Sequence, residues 1–178
     1  PVVLDFSLFY SKYDDLIEPN FTPMEKPIIR FENIEKAQIL GFEVSLKTLL
    51  FKTAPFFVGF TSLEPKDLKD NKILKYRSRM HLVSSLSIPY KFIAANVDFR
   101  YISKIERLDD ILKLLMEDYD AIVPIYVLDA SLSFDLTGFK LPLSITISAQ
   151  NLLDYYYVEM VGNLAPTRLI SLRIQYKY

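Results

Sequence analysis

Apolar and polar residues alternate with a period of two in about eight segments of this chain. In the first of them, Leu4, Phe6 and Leu8 fall on one face, while Asp5 and Ser7 fall on the other. The alternation is clearest in 4–13, 40–47 and 128–135, and it recurs in 56–62, 79–88, 93–101, 143–150 and 170–178. Successive side chains of a β-strand point to opposite faces, so the pattern predicts an all-β chain of about eight strands.

The connections between these segments alternate in length. Short connections fall at 48–55, 89–91 and 137–140, whereas long ones fall at 14–36, 63–76, 105–121 and 153–166. In outer-membrane barrels, short periplasmic turns alternate with long outer loops, and the strands are apolar outward and polar inward. The sequence therefore predicts an antiparallel up-and-down transmembrane β-barrel whose first strand runs outward.

A soluble sandwich or ligand-binding barrel would show the same alternation, with its apolar face on a core. The loop asymmetry favours the membrane barrel, as do aromatic residues near the strand ends. These residues fit the two interfacial girdles of such barrels, and they are Tyr10, Tyr13, Tyr76, Tyr90, Phe92, Tyr101 and Tyr126.

Composition narrows the possible partners and chemistry. The longest apolar runs are far below the ~18 to 20 residues that a transmembrane helix needs. The 21 basic and 22 acidic residues leave a net charge of −1, so no overall field favours nucleic acid. The sequence has no cysteine, which excludes disulfides, zinc-thiolate sites and a cysteine nucleophile. No cofactor is predicted.

Catalytic signals are weak. His81 is the only histidine and has the parity of the polar face, and no Gly-x-Ser-x-Gly motif accompanies it. We interpret it as a wall histidine and predict no enzyme. The pairs Asp14-Asp15 and Asp109-Asp110 lack the spacing of a calcium loop, which favours solvated loop charge.

The segment 105–119 departs from the strand pattern. Leu108, Ile111, Leu112 and Leu115 recur at spacings of three and four, which predicts a short helix inside a long outer loop. Such a helix would pack the loop down or, alternatively, contact a ligand.

Three arginines, Arg77, Arg79 and Arg100, lie near the outer rim or on the inner wall of the predicted barrel. Guanidinium groups suit anionic ligands, so they are candidate ligand-side charges. The alternative is that they pair with wall carboxylates on neighbouring strands, such as Asp98, Asp129 and Asp135.

The end of the chain resembles the last two strands of TonB-dependent outer-membrane receptors. The residues that carry this resemblance are Asn151, Leu152, Asp154, Gly162, Pro166 and Arg168, followed by an aromatic C-terminus. The upstream segments 6–17, 31–33 and 37–43 also resemble the pattern of that family. The resemblance therefore covers nearly the whole chain.

The resemblance implies a barrel of about 22 strands around an N-terminal plug. Residues 1–178 would be the C-terminal segment, about the last eight strands, without a plug or TonB box. The implied function is TonB-dependent uptake of a scarce nutrient, such as a ferric siderophore, in the outer membrane of a Gram-negative bacterium. The implied partners are outer-membrane lipid, the TonB system acting through the missing plug, the outer-membrane assembly machinery and the small ligand.

The final strand carries Leu172, Ile174, Tyr176 and Tyr178 at every second position. Similar C-terminal strands are recognised by the assembly machinery through edge pairing, so this set is a candidate assembly signal. The alternative to a receptor segment is a complete eight-stranded outer-membrane barrel with an adhesion, anchoring or envelope role. Pairing between strand one and strand eight would distinguish the two.

Overall fold

The computed structural model describes residues 2–22, 28–34, 36–109, 122–160 and 163–176. Their strands are β1 (Val2–Tyr13), β2 (Leu16–Thr22), β3 (Ile28–Ile34), β4 (Ala37–Leu50), β5 (Ala54–Asp67), β6 (Lys72–Ile73), β7 (Met80–Tyr90), β8 (Ile93–Ile102), β9 (Ile125–Asp135), β10 (Leu143–Gln150), β11 (Val158–Met160), β12 (Asn163–Leu164) and β13 (Leu169–Tyr176). The described ranges contain no helix that is long and apolar enough to cross a bilayer.

One antiparallel sheet dominates the fold. Its strands follow the order β1-β4-β5-β7-β8-β9-β10-β13, and β6 pairs with the end of β5. These eight strands are the eight that the alternation predicts, so the up-and-down all-β prediction is confirmed. Several strands are longer than predicted, because the residues beyond 40–47 and 56–62 continue the pairing of β4 with β5.

The connections have the predicted asymmetry. Short turns join β4 to β5, β7 to β8 and β9 to β10 at one rim of the sheet, and long loops join the other pairs at the opposite rim. Two loop hairpins, β2–β3 and β11–β12, were not predicted. Residues 105–109 have no regular secondary structure, and the rest of the expected helix, 110–119, lies outside the described residues.

The sheet has an apolar outward face. The pairing register places Phe6 beside Val44, Val44 beside Phe60, and Phe60 beside Leu82. The side chain of Phe6 is 67% exposed, and its neighbours along the strand are exposed to a similar degree. Nothing in the described part of the chain covers this face, which is the arrangement that a lipid-facing band requires.

The opposite, inward face is mainly polar. Phe9 is an exception, and its ring lies over Gly41 on the neighbouring strand. A Cβ atom built at position 41 would lie 2.5 Å from the Phe9 ring. Glycine therefore leaves room for the close approach of the ring and does not serve a turn here, and a larger residue would displace the Phe9 ring.

The sheet is open. Within the described residues, β1 pairs with β4 and β13 pairs with β10, and these two strands are the opposite edges of the sheet. An eight-stranded barrel would need β1 to pair with β13. The alternative of a complete small barrel is therefore wrong, and the chain forms an arc with two unpaired edges.

Candidate functional site

Hydrogen bonds between neighbouring strands connect the polar side chains of the inward face. Asn96 donates to Ser131 over 3.2 Å, and the hydroxyls of Ser133 and Thr146 lie 3.0 Å apart. Ser148 and Ser171 continue the series toward the last strand, with 2.8 Å between their oxygens. These paired polar side chains suit a wall that faces a wet lumen or contacts another polar surface.

A concavity of about 250 Å³ lies on this wall near the long-loop rim. His81 lines it, and its Nε2 atom is 3.1 Å from the hydroxyl of Ser78. Lys104 and Glu159 contribute charged groups, and Val123 contributes apolar surface. His81 thus occupies the wall position that its parity predicted, with a neutral hydroxyl partner.

Two of the three candidate arginines form ion pairs. Arg79 contacts Glu106 at 3.4 Å, and Arg100 contacts Glu159 at 2.7 Å. Arg100 also donates to the hydroxyl of Tyr157 over 3.3 Å. Their partners come from the long loops, not from the strands beside them.

The wall carboxylates that were the alternative partners of these arginines accept hydrogen bonds from other groups. Asp98 accepts a hydrogen bond from Ser85, and Asp129 accepts one from the backbone N–H of Asn151. Asp135 accepts from the backbone and side chain of Thr137. Arg77 is exposed at the long-loop rim.

A buried polar cluster lies at the base of the long loops. Asp109 is only 3% exposed and forms an ion pair with Lys75. It also accepts a 2.6 Å hydrogen bond from the Tyr76 hydroxyl, and burial together with this bond raises the pKa of Tyr76. Arg107 reinforces the junction by donating to the carbonyl of Ile73.

Two sequence predictions are corrected by this cluster. Asp109 was expected to be solvated loop charge, but it is buried because it connects the loop after β8 to the loop after β6. Asp110 lies outside the described residues. Tyr76 was expected in an aromatic girdle, but its hydroxyl is held by Asp109. Tyr101 and Tyr126, two other residues of the predicted girdles, contact each other with their ring centroids 5.1 Å apart.

We expect Asp109→Asn to loosen this junction selectively. The substitution leaves the Lys75 ammonium without its counter-charge and weakens the Tyr76 bond, a loss on the order of 2 kcal/mol for a buried pair. Amide hydrogen exchange in 67–79 should then accelerate by a factor of about 30. Glu106→Gln, which breaks a more exposed pair, is the control, and equal acceleration in both variants would contradict the special role of Asp109.

A second buried carboxylate of the long-loop rim belongs to Glu18. It lies in β2, is 5% exposed, and neither carboxylate oxygen has a hydrogen-bond partner among the described residues. Burial raises the pKa of Glu18, although Arg77, Lys75 and Arg107 oppose the shift, and Asp67 adds to it. The β2–β3 hairpin therefore docks with the Glu18 carboxylate buried, which disfavours the charged form of that group.

Docking of this hairpin should depend on pH. A raised pKa means that the docked state binds the proton more tightly than the undocked state, so docking is strongest in acid and weakens as the pH rises through that pKa. After correction for the base-catalysed rise in intrinsic amide exchange, the protection factors of 16–22 in the full-length protein should therefore be lower at pH 8 than at pH 5. Glu18→Gln should remove this difference, whereas an unchanged difference in the variant would assign it to another group.

Five of the six residues that carry the family resemblance form one hydrogen-bonded junction after β10. The Asn151 side chain donates to the carbonyls of Tyr155 and Pro166 and accepts from the Tyr155 N–H. Asp154 accepts from the backbone N–H of Arg168 over 2.9 Å, and Arg168 donates to the carbonyl of Leu152. The motif therefore closes the last long loop onto the entry of β13. Gly162 lies outside the described residues.

The last described strand presents its candidate assembly residues outward. Leu172, Ile174 and Tyr176 are all exposed on the apolar face, and β13 pairs with β10 on one side. Tyr178 lies outside the described residues. The strand therefore has a free edge and an alternating apolar pattern, which are the two features that recognition by edge pairing requires.

No protein-family model matches the sequence, and no curated protein matches it. The fold is nevertheless similar to solved structures. The ferric-catecholate import receptor Fiu from E. coli K12 is 16% identical, with a TM-score of 0.69 over 97% of this chain. The copper transporter OprC is 14% identical, with a TM-score of 0.75 over 99% of this chain.

The ferripyoverdine receptor of the outer membrane of Pseudomonas aeruginosa is also 14% identical, with a TM-score of 0.73 over 98% of this chain. This chain covers 24%, 29% and 25% of the lengths of Fiu, OprC and the ferripyoverdine receptor, respectively, so it spans about a quarter of these proteins. The fold is that of an arc of an outer-membrane barrel wall. More particularly, it is the barrel fold that these receptor and transporter structures share.

Proposed function

We propose that the chain is the C-terminal arc of the barrel of a TonB-dependent outer-membrane receptor, and that the intact protein imports a scarce metal chelate such as a ferric siderophore. The observation that carries this proposal is the open sheet, which has an exposed apolar face and a hydrogen-bonded polar face. It matches receptor barrels along nearly its whole length while covering only about a quarter of theirs.

In this proposal the two faces of the sheet have separate roles. The apolar face with its exposed Phe6 and Leu172 contacts lipid, and the hydrogen-bonded polar face lines the lumen and contacts the plug. The plug and the contact with TonB belong to parts of the polypeptide other than residues 1–178. The role of this chain is therefore transport and not catalysis.

The long-loop rim is the side on which ligand would arrive. Arg77 is exposed there, and Arg100 is held by Glu159 and Tyr157 above the concavity that His81 lines. A guanidinium group can bind the oxygens of an anionic chelate in bidentate geometry. Arg77 is the better candidate for direct contact, because Arg79 and Arg100 already have carboxylate partners.

The last strand has a proposed role in biogenesis. Leu172, Ile174 and Tyr176, together with Tyr178, would form the signal that the outer-membrane assembly machinery recognises by pairing with the free edge of β13. Polar substitutions at these outward positions should reduce the amount of folded barrel in the outer membrane.

Transport can be tested in a host that lacks its own receptors. The full-length protein would be produced there, and uptake of ⁵⁵Fe as ferric catecholate, ⁵⁵Fe as ferripyoverdine and ⁶⁴Cu would be measured with and without an active TonB system. We expect TonB-dependent uptake of one iron chelate and weaker uptake by Arg77→Gln. Uptake of copper alone would replace the iron proposal, and no uptake of any of the three would contradict it.

A further inference from the structure

The three short turns of the sheet share an unusual composition. Each contains a lysine next to a phenylalanine, as Phe51-Lys52, Lys91-Phe92 and Phe139-Lys140. The segments 49–55, 88–94 and 136–142, which contain these turns, have no acidic residue. We call these three lysine-phenylalanine pairs the short-turn rim.

The backbone at these lysines is strained. The φ angles of Lys52, Lys91 and Lys140 are 67°, 53° and 62°, in the left-handed region that glycine and asparagine adopt most readily. At the long-loop rim, the positive-φ residues are Asn71, Tyr76, Asn151 and Asp154, three of which are asparagine or aspartate. Lysine has no backbone advantage at all three short turns, which points to a role for its side chain.

The three lysines are exposed, and none has an ion-pair partner within the described residues. The Lys91 ammonium lies 5.3 Å from the centre of the Tyr90 ring, and the described part of the chain offers Lys52 and Lys140 no such contact. Asp135, the nearest acidic residue to the third turn in sequence, has the inward parity and accepts hydrogen bonds from Thr137. Among the residues that the structure describes, the rim therefore presents positive charge without an acidic partner.

The phenylalanines give the rim an apolar component. Phe51 is 91% exposed at the tip of its turn. Phe92 and Phe139 contact each other edge to face at 5.1 Å and so connect the second and third turns. The apolar outward face continues to this rim through Tyr90, Ile93 and Phe134. Lysines and aromatic rings at the end of an apolar band are the groups that membrane interfaces favour.

We propose that the short-turn rim binds anionic phospholipid headgroups, with each lysine on a headgroup phosphate and each phenylalanine at the boundary of the acyl region. The argument rests on charge complementarity and on the continuity of the rim with the lipid-facing surface. The proposal rests on the proposed function in one respect, because that function places this rim at the periplasmic leaflet, where phospholipid is the available anion.

Lipid binding can be measured on the full-length protein by native mass spectrometry. The purified and delipidated protein would be titrated with phosphatidylglycerol or phosphatidylcholine. The test variant is Lys52→Asn/Lys91→Asn/Lys140→Asn, because asparagine removes the charge and accepts the positive φ. Each lysine lost should weaken phosphatidylglycerol binding about fivefold, leave phosphatidylcholine binding unchanged, and reduce the effect of salt.

Two control variants separate charge from other effects. The triple arginine variant at the same positions should keep the preference for phosphatidylglycerol. Lys12→Asn/Lys36→Asn/Lys66→Asn, which removes three lysines at the long-loop rim, should also keep it. The proposal is overturned if the short-turn asparagine variant binds phosphatidylglycerol as well as the unmodified protein, or if the arginine variant loses the preference.

The result of the lipid-binding experiment does not depend on whether the protein takes up a nutrient. If the lysines control the lipid preference but no metal chelate is transported, only the proposed function fails. If the asparagine variant binds lipid normally but assembles poorly, the rim contacts a periplasmic protein and the lipid proposal fails.

Discussion

Val97→Arg is expected to lower the free energy of unfolding of the full-length protein in lipid vesicles by about 2 to 4 kcal/mol. Val97 lies near the middle of β8 on the outward face, between Leu86 of β7 and Ala130 of β9. A guanidinium group at this position would have to enter the hydrocarbon region or distort the bilayer. Urea titration of the protein folded into vesicles measures the loss.

The matched control is Ser87→Arg on the neighbouring strand. Ser87 pairs with Asn96 on the inward face, so its arginine would extend into the polar lumen. The control should change the free energy of unfolding by less than about 1 kcal/mol. If the two variants lose the same stability, or if Ser87→Arg loses more, the assignment of the faces is reversed or absent.

Asn151→Ala is expected to destabilise the last hairpin by about 3 kcal/mol. The Asn151 side chain is almost fully buried, and its amide makes three hydrogen bonds to the backbone around 155 and 166. Alanine would leave these backbone groups without partners and would also occupy a φ of 47° poorly. Thermal unfolding of the full-length protein in detergent measures the effect.

Two further variants separate the hydrogen bonds from the backbone effect. Asn151→Gly relieves the positive φ but removes the same bonds, so it should lose most of the stability that the alanine variant loses. Asn71→Ala places alanine at a similar φ of 52° in an exposed turn, and it should cost only about 1 kcal/mol. A small effect of Asn151→Gly would show that the junction depends on backbone conformation alone.

The sheet could be predicted from the sequence because the information for it is local. Alternation from Leu4 to Tyr13 needs only neighbouring residues, and the contrast between the short turn at 91–92 and the long loop at 14–36 gives the two rims. The open edges could also be anticipated, since the terminal motif indicated a larger barrel. The β2–β3 hairpin was missed because it lies inside a loop that shows no clear alternation.

The contacts at the long-loop rim could not be predicted, because they join residues far apart in sequence. Lys75 and Asp109 are separated by 34 positions, and Arg100 pairs with a glutamate 59 positions further along the chain. The burial of Glu18 depends on how its hairpin packs against the loops that contain Lys75 and Arg107. Charged residues on loops are usually solvated, so the composition did not indicate these two ion pairs or the burial of Glu18.

The most direct test of the open arc is disulfide formation between the two edge strands in the full-length protein. Ser148→Cys/Ser171→Cys is the positive control, because these residues are register partners on β10 and β13 and should cross-link readily. Ser7→Cys/Arg173→Cys joins the edge strands β1 and β13. The arc predicts no cross-link between positions 7 and 173 under conditions in which 148 and 171 cross-link completely. Efficient formation of the 7–173 disulfide would show that the two edges close on each other and would contradict the account.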